Sequence, residues 1–140
     1  MTLLRYMLDT NVISDIIRDP QGSVTEHVSR VGQSSLCISA IVVSELRFGV
    51  AKRGSDRLAE LVEAIVSRVP VLPYDEGAAA SYAAIRWDLE RRGKPIGAND
   101  MLIAAHALAQ GLTLVTSNTE EFSRVRDLKI ENWTVKGKLQ

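Results

Sequence analysis

Three carboxylates sit at the edges of apolar segments. Asp9 follows Tyr6-Met7-Leu8 and leads into Thr10-Asn11. Glu45 lies within Val42-Val43-Ser44-Glu45-Leu46. Asp100 opens Asn99-Asp100-Met101-Leu102-Ile103-Ala104-Ala105. A carboxylate set in apolar sequence is costly to bury unless it is paired or binds a metal. None of the three has a Lys or Arg in the apolar run around it. Brought together, they make an oxygen-rich pocket suited to a hard divalent cation, and that points to metal-assisted phosphodiester chemistry. Each acid also has a plainer reading. Asp9 can cap a helix, Asp100 can offset a helix dipole in its first turn, and Glu45 can reach out to solvent.

Convergence depends on the elements that carry the acids. Residues 3–8 are a short apolar run that reads as a buried strand. Thr10 or Asn11 can cap a following helix through Ile13, Ile16 and Ile17, stopped by Asp19-Pro20. A weaker helix spans 22–31, and residues 36–39 form a second buried strand. Ser39 caps a helix that carries Glu45 and breaks near Gly54. Ser55-Asp56 starts an amphipathic helix with Leu58, Leu61, Val62, Ile65 and Val66 at helical spacing. Residues 69–72 make a strand. Asp75-Glu76 begins a long helix ending in Arg91-Arg92-Gly93, its charges matched to the dipole. After the loop 94–98, Asn99-Asp100 opens a further helix stopped at Gly111. Residues 112–115 are a strand, 116–121 a polar turn, and 129–135 a last extended piece. The alternation implies an α/β fold with a mostly parallel central sheet flanked by helices. In such sheets ligands sit beyond the carboxyl ends of the strands, where Asp9 and Thr116-Ser117-Asn118 fall.

The chain's 140 residues suit one compact domain. We assign 1–135 to it and expect 136–140 to fray. With 17 basic and 17 acidic residues the formal net charge is zero, so the distribution of charge decides whether nucleic acid can bind. Cys37, the one cysteine, excludes an intramolecular disulfide and suits a reducing compartment. No basic leader opens the chain and no run of about 18 apolar residues occurs, so a cytoplasmic protein without a membrane span is expected. His27 and His106 are the only histidines; His106, on an Ala-rich helix, is expected to be packed and hydrogen-bonded rather than catalytic.

Four segments together resemble the motifs of PIN-domain ribonucleases, most closely the VapC toxins of bacterial toxin–antitoxin pairs. They are Met7-Leu8-Asp9-Thr10-Asn11-Val12-Ile13-Ser14, Ser44-Glu45-Leu46-Arg47-Phe48-Gly49, Pro95-Ile96-Gly97-Ala98-Asn99-Asp100-Met101-Leu102-Ile103-Ala104 and Leu114-Val115-Thr116-Ser117-Asn118. The resemblance implies a PIN-like fold and Mg²⁺-dependent cleavage of RNA, with Mn²⁺ able to substitute. The products would carry a 5′-phosphate and a 3′-hydroxyl. It makes Asp9, Glu45, Asp100 and Asn118 the catalytic set, with Asp9 and Asp100 as metal ligands. Asn118 stands where the family often has a fourth acid; Glu120 and Glu121 lie nearby. Thr10 and Thr116, with the basic Arg86 and Lys94, are candidates for substrate binding; Arg91 and Arg92 extend that basic stretch. A structured RNA, such as a tRNA, is the implied substrate. A small antitoxin and a second copy of the chain are the implied partners.

Rival readings are weaker. A haloacid-dehalogenase phosphatase needs a second Asp two residues after the first, and Asn11 stands there. A receiver domain needs an acidic pair that this chain lacks. A catalytically weak RNA-binding or protein-interaction domain of PIN type is the remaining alternative, kept open by Asn118.

Overall fold

The computed structural model describes residues 3–134. The expected frayed tail at 136–140 lies outside them. Five strands form one sheet: β1 (Tyr6–Leu8), β2 (Leu36–Ser39), β3 (Val71–Leu72), β4 (Thr113–Val115) and β5 (Ile130–Glu131). Their order is β3-β2-β1-β4-β5, and every pairing is parallel. Parallel strands need crossovers, and the helices supply them. These are α1 (Thr10–Arg18), α2 (Ser23–Val31), α3 (Ala40–Arg53), α4 (Asp56–Val66), α5 (Glu76–Arg91), α6 (Ala98–Ala109) and α7 (Thr119–Phe122).

All residues of β1 and β2 are buried, as befits strands covered on both faces. Met7, Ile38 and Leu114 of the three central strands pack with Val12 and Ile13 of α1, Val42 of α3 and Ile103 of α6. The chain leaves β1 towards β2 on one side and later returns to β4 on the other. The crevice beyond β1 and β4 is therefore a topological switch point, where such sheets place their ligands.

Local signals in the sequence set most element boundaries. Ser39 Oγ accepts from Ile41 N, Ser55 Oγ from Leu58 N, and Asp75 Oδ1 from Ala78 N, so α3, α4 and α5 begin at side-chain caps. Gly54 ends α3 in the left-handed conformation at φ 65°. Strands β3, β4 and β5 are shorter than the expected 69–72, 112–115 and 129–135, the last of which runs to a residue outside those described, and four further details differ from expectation. The first strand is shorter and begins at Tyr6, although Arg5 already donates to Ser35 O and accepts from Thr113 N. Asp9, not Thr10 or Asn11, caps α1. Helix α6 starts at Ala98, one residue before Asn99. The polar turn 116–121 runs into α7, whose Phe122 is wholly buried.

Candidate active site

The carboxyl ends of β1 and β4 are tied together just where Asp9 stands, because Asp9 N donates to Val115 O at 2.9 Å. The Asp9 side chain is 3% exposed and doubly occupied. Its Oδ1 accepts from Thr10 N at 2.8 Å, which caps α1. Its Oδ2 accepts from Thr116 Oγ1 at 2.8 Å and Asn11 Nδ2 at 3.2 Å. The capping and site readings of Asp9 are thus compatible. Glu45 enters from the second turn of α3. It accepts from the Thr10 hydroxyl through Oε1 and from Asn99 Nδ2 through Oε2, the latter at 3.0 Å. Asp100 enters from the first turn of α6. Asp9, Glu45 and Asp100 line one pocket of about 520 Å³, shared with Thr10, Asn11 and Asn118.

A fourth acid joins them. Glu121, on α7, accepts from Gly97 N at 2.8 Å through Oε1 and from Asn118 Nδ2 at 2.6 Å through Oε2. A Cβ built on Gly97 would lie 3.6 Å from Asp100 Oδ2 and 3.7 Å from Glu121 Oε1, so both carboxylates close on the same loop. The sequence draws attention to Asn118 and leaves Glu121 as a neighbour. The structure makes the two a pair. The available signal was the i, i+3 spacing of Asn118 and Glu121 on a single helical turn.

The electrostatics are those of crowded acid. Among the described residues, none of these four carboxylates forms an ion pair. Burial pushes the Asp9 carboxyl above its ordinary range, against the hydrogen bonds from Thr116 and Thr10. Burial likewise raises Asp100 to about 8; a hydrogen bond to Glu121, and the charges of Glu121, Asp9 and Glu45, add to it. Glu121 moves down, chiefly because Asp100 donates to it.

The donor set is all oxygen, and burial pushes two of its carboxyls, Asp9 and Asp100, above their ordinary range. These residues fit a divalent cation. They are not drawn tightly around a point: among the described residues, no three His, Cys, Asp or Glu side chains form a ready cage. Glu45 is turned to Thr10 and Asn99 with one hydrogen bond on each oxygen, which leaves lone pairs free for an ion.

The remaining candidates fall elsewhere. Thr116 is buried against Asp9, and Thr10 serves Glu45, so both hydroxyls orient acids. Arg86 and Lys94 are exposed, and neither lines the acid pocket. Arg86 is engaged by Glu90 Oε2 at 2.8 Å and Tyr82 Oη at 3.0 Å. His106 is fully buried with Nδ1 2.8 Å from Ser39 Oγ, and burial lowers its pKa, in keeping with a packed role.

A second groove of about 770 Å³ continues from the acid pocket through Thr10, Ser14, Arg18 and Glu45. Ile17, Leu46, Leu58 and Val62 give it an apolar wall, and Lys52 and Arg53 stand at its rim. No helix among the described residues is long and apolar enough to cross a membrane.

Residues 6–128 match the PIN domain family model. The chain is 41% identical over 133 residues to a tRNA(fMet)-specific endonuclease VapC of Shigella flexneri, covering 94% of this chain and 100% of that one. It is 40% identical over 134 residues to ribonuclease VapC2 of Haemophilus influenzae, covering 94% and 99%. Among solved structures, DNA-bound VapBC of Salmonella typhimurium superposes with a TM-score of 0.88 at 39% identity, covering 94% of this chain and 99% of that chain. VapBC2 of Rickettsia felis, bound to a DNA fragment from its promoter, gives 0.86 at 33%, covering 93% and 99%.

Proposed function

The chain belongs to the PIN-domain family as a ribonuclease of the VapC type, and from that premise we propose that its four crowded acids are the cleavage site of a Mg²⁺-dependent endoribonuclease toxin. Ribonucleases of this type generally need a divalent metal; Mg²⁺, with Mn²⁺ as substitute, is the choice an all-oxygen donor set favours. The observation that carries the reading is the convergence of Asp9, Glu45 and Asp100 on one pocket, with Glu121 beside Asp100 and, among the described residues, no ion pair to any of the four.

Asp9 and Asp100 would hold the ion directly, and Glu45 and Glu121 would complete the negative field. A bound divalent ion supplies Lewis acidity, which makes a water more acidic and neutralises charge gathering on a phosphate. The protein's own part is orientation. Thr116 and Asn11 fix Asp9, Thr10 and Asn99 fix Glu45, and Asn118 fixes Glu121. Asn118 so takes part by aligning an acid rather than by replacing one. Lys94 and Arg86 contribute further out, along the path of the RNA backbone.

The substrate is a tRNA cut in a single-stranded loop. An open pocket at a sheet edge admits a splayed strand more readily than a duplex phosphate, and the Shigella relative is named for a tRNA. The partner is a small antitoxin of the VapB type, as in the VapBC complexes. Its apolar segment suits the wall formed by Ile17, Leu46, Leu58 and Val62. From there an Arg or Lys can reach Asp9, Glu45 or Asp100 and compete with the metal. A second copy of the chain is a further partner. Trp87, 66% exposed on α5 near the exposed Ala83 and Ala84, offers apolar surface for it. The site of action is the cytoplasm, where tRNA serves translation.

Expression of this chain alone should arrest growth, and co-expression of the small protein encoded beside it should restore growth. Normal growth with the chain soluble and folded would contradict the toxin reading.

A further inference from the structure

We infer that Arg92 and Arg124 are positioning residues, clasping the loop between α5 and α6 to α7 and thereby holding Glu121 against Asp100. The inference rests on the acid pocket being the cleavage site, and it moves Arg92 from RNA contact to scaffold.

Arg92 Nη2 donates to the backbone carbonyl of Arg124 at 2.6 Å, while its Nε and Nη2 donate to Asp88 Oδ2 at 2.9 and 2.6 Å. Arg124 returns the contact: its Nη1 donates to Pro95 O at 2.8 Å. Glu121 closes the ring from the same side by accepting from Gly97 N at 2.8 Å. The loop that leads into Asp100 and the turn that carries Glu121 are therefore bound to each other by three separate hydrogen bonds.

Helix α7 needs such an external restraint. It has four residues and no side-chain cap at its N-terminus, and a single turn has almost no stability of its own. Phe122 and Val125 pin one face in the core. The polar face, with Glu121, is left to the clasp. Arg92 is suited to the task because a guanidinium donates in two directions at once, to Asp88 and to the Arg124 carbonyl. Its side chain is only 19% exposed, which leaves little of it for a phosphate. Arg124 makes a single bond across the clasp, which an ammonium can also make.

The test compares Arg124→Gln, Arg124→Lys, Arg92→Gln and Arg92→Lys with the wild type and with Asp100→Asn. Mn²⁺ affinity is read by calorimetry, kcat, KM and salt dependence on a cleavable RNA, and folding by thermal melting. Arg124→Gln and both Arg92 variants should lose about tenfold in Mn²⁺ affinity and in kcat, the loss typical when a group that orients a ligand is removed. KM and the salt slope should hold. Arg124→Lys should recover most of the loss, and Arg92→Lys should not, because a single ammonium cannot reproduce the paired Nε and Nη2 grip on Asp88 that aims Nη2 at the Arg124 carbonyl. Should a Gln variant fail to fold, the two Lys variants carry the test through their opposite outcomes. Raised KM with a shallower salt dependence and unchanged Mn²⁺ affinity would make these arginines phosphate contacts and overturn the inference; so would wild-type values throughout. Wild-type cleavage by Asp100→Asn would instead remove the reading of the site itself. An inactive Asp100→Asn beside wild-type arginine variants would remove the clasp alone.

Discussion

The acid pocket and the end of α5 both concentrate charge, and they handle it in opposite ways. At the end of α5 one carboxylate, Asp88, meets Arg91 at 2.8 Å, Arg92 at 2.6 Å and Arg126 at 3.5 Å. Its pKa is pulled below the ordinary carboxylate range, first by the hydrogen bond from Arg92. In the pocket Asp9, Glu45 and Asp100, with Glu121 beside Asp100, gather with hydroxyls and amides and none of the four forms an ion pair, Arg18 at the pocket wall being paired with Asp15; Asp9 and Asp100 move up instead. Charge satisfied within the chain braces the fold. Charge left unsatisfied marks the place where something from outside must bind.

Removing charge from the pocket is the strongest way to probe that difference. Asp9→Asn, Glu45→Gln and Asp100→Asn should each lower RNA cleavage by more than about a hundredfold, beyond what removal of an orienting group typically costs. Each should leave the metal-free protein as stable as the wild type or more so, because repulsion is relieved. Cleavage assays and thermal melts check both halves. Wild-type cleavage with lowered melting temperature would turn the pocket into another brace. Asn118→Ala should cost less activity than any acid, since it acts through Glu121.

A smaller effect appears in the pH dependence of stability without metal. Between the ordinary carboxyl value of 3.8 and about 8, the folded state keeps a proton on Asp100 that the unfolded chain releases. The folded state binds more protons there, so this group's contribution to stability falls as pH rises through that window. Melting temperatures of metal-free protein should decline across it, and Asp100→Asn should flatten the decline. An equal slope in wild type and variant would place the uncompensated charge elsewhere.

These expectations follow from contacts that the sequence discloses unevenly. Ser39, Ser55, Asp75 and Gly54 announce helix ends because each acts on backbone within a few residues. Asp9, Glu45 and Asp100 are legible as acids out of place in apolar runs, and the parallel order of strands explains their meeting. Glu121 is harder to read. Its neighbours Asp100 and Gly97 are more than twenty residues away, and a one-turn helix has too little periodicity to separate it from a polar turn. The partners within the basic stretch are equally hard to read. Arg86 and Arg92 look like a free cationic face, yet Glu90 and Asp88 claim them one turn away.

Lys94 and Arg86 test the outer edge of the comparison and should have the mildest effects. Lys94→Ala should weaken binding of many RNAs alike and reduce the logarithmic salt slope by about 0.7 if one single-strand phosphate contact is lost. Arg86→Ala should do less, because its guanidinium is already engaged by Glu90 and Tyr82. Binding isotherms at several salt concentrations measure both. A larger loss from Arg86 would mean that an internal ion pair is no bar to substrate contact.

The central claim is that uncompensated carboxylates cut RNA with a divalent ion. It is met most directly by incubating the purified protein with total cellular RNA and mapping new 5′ ends, in Mg²⁺ and in EDTA, beside Asp100→Asn. One or a few cuts in tRNA loops should appear with Mg²⁺ and vanish with EDTA and in the variant. Cuts that persist in chelator or in Asp100→Asn would contradict it.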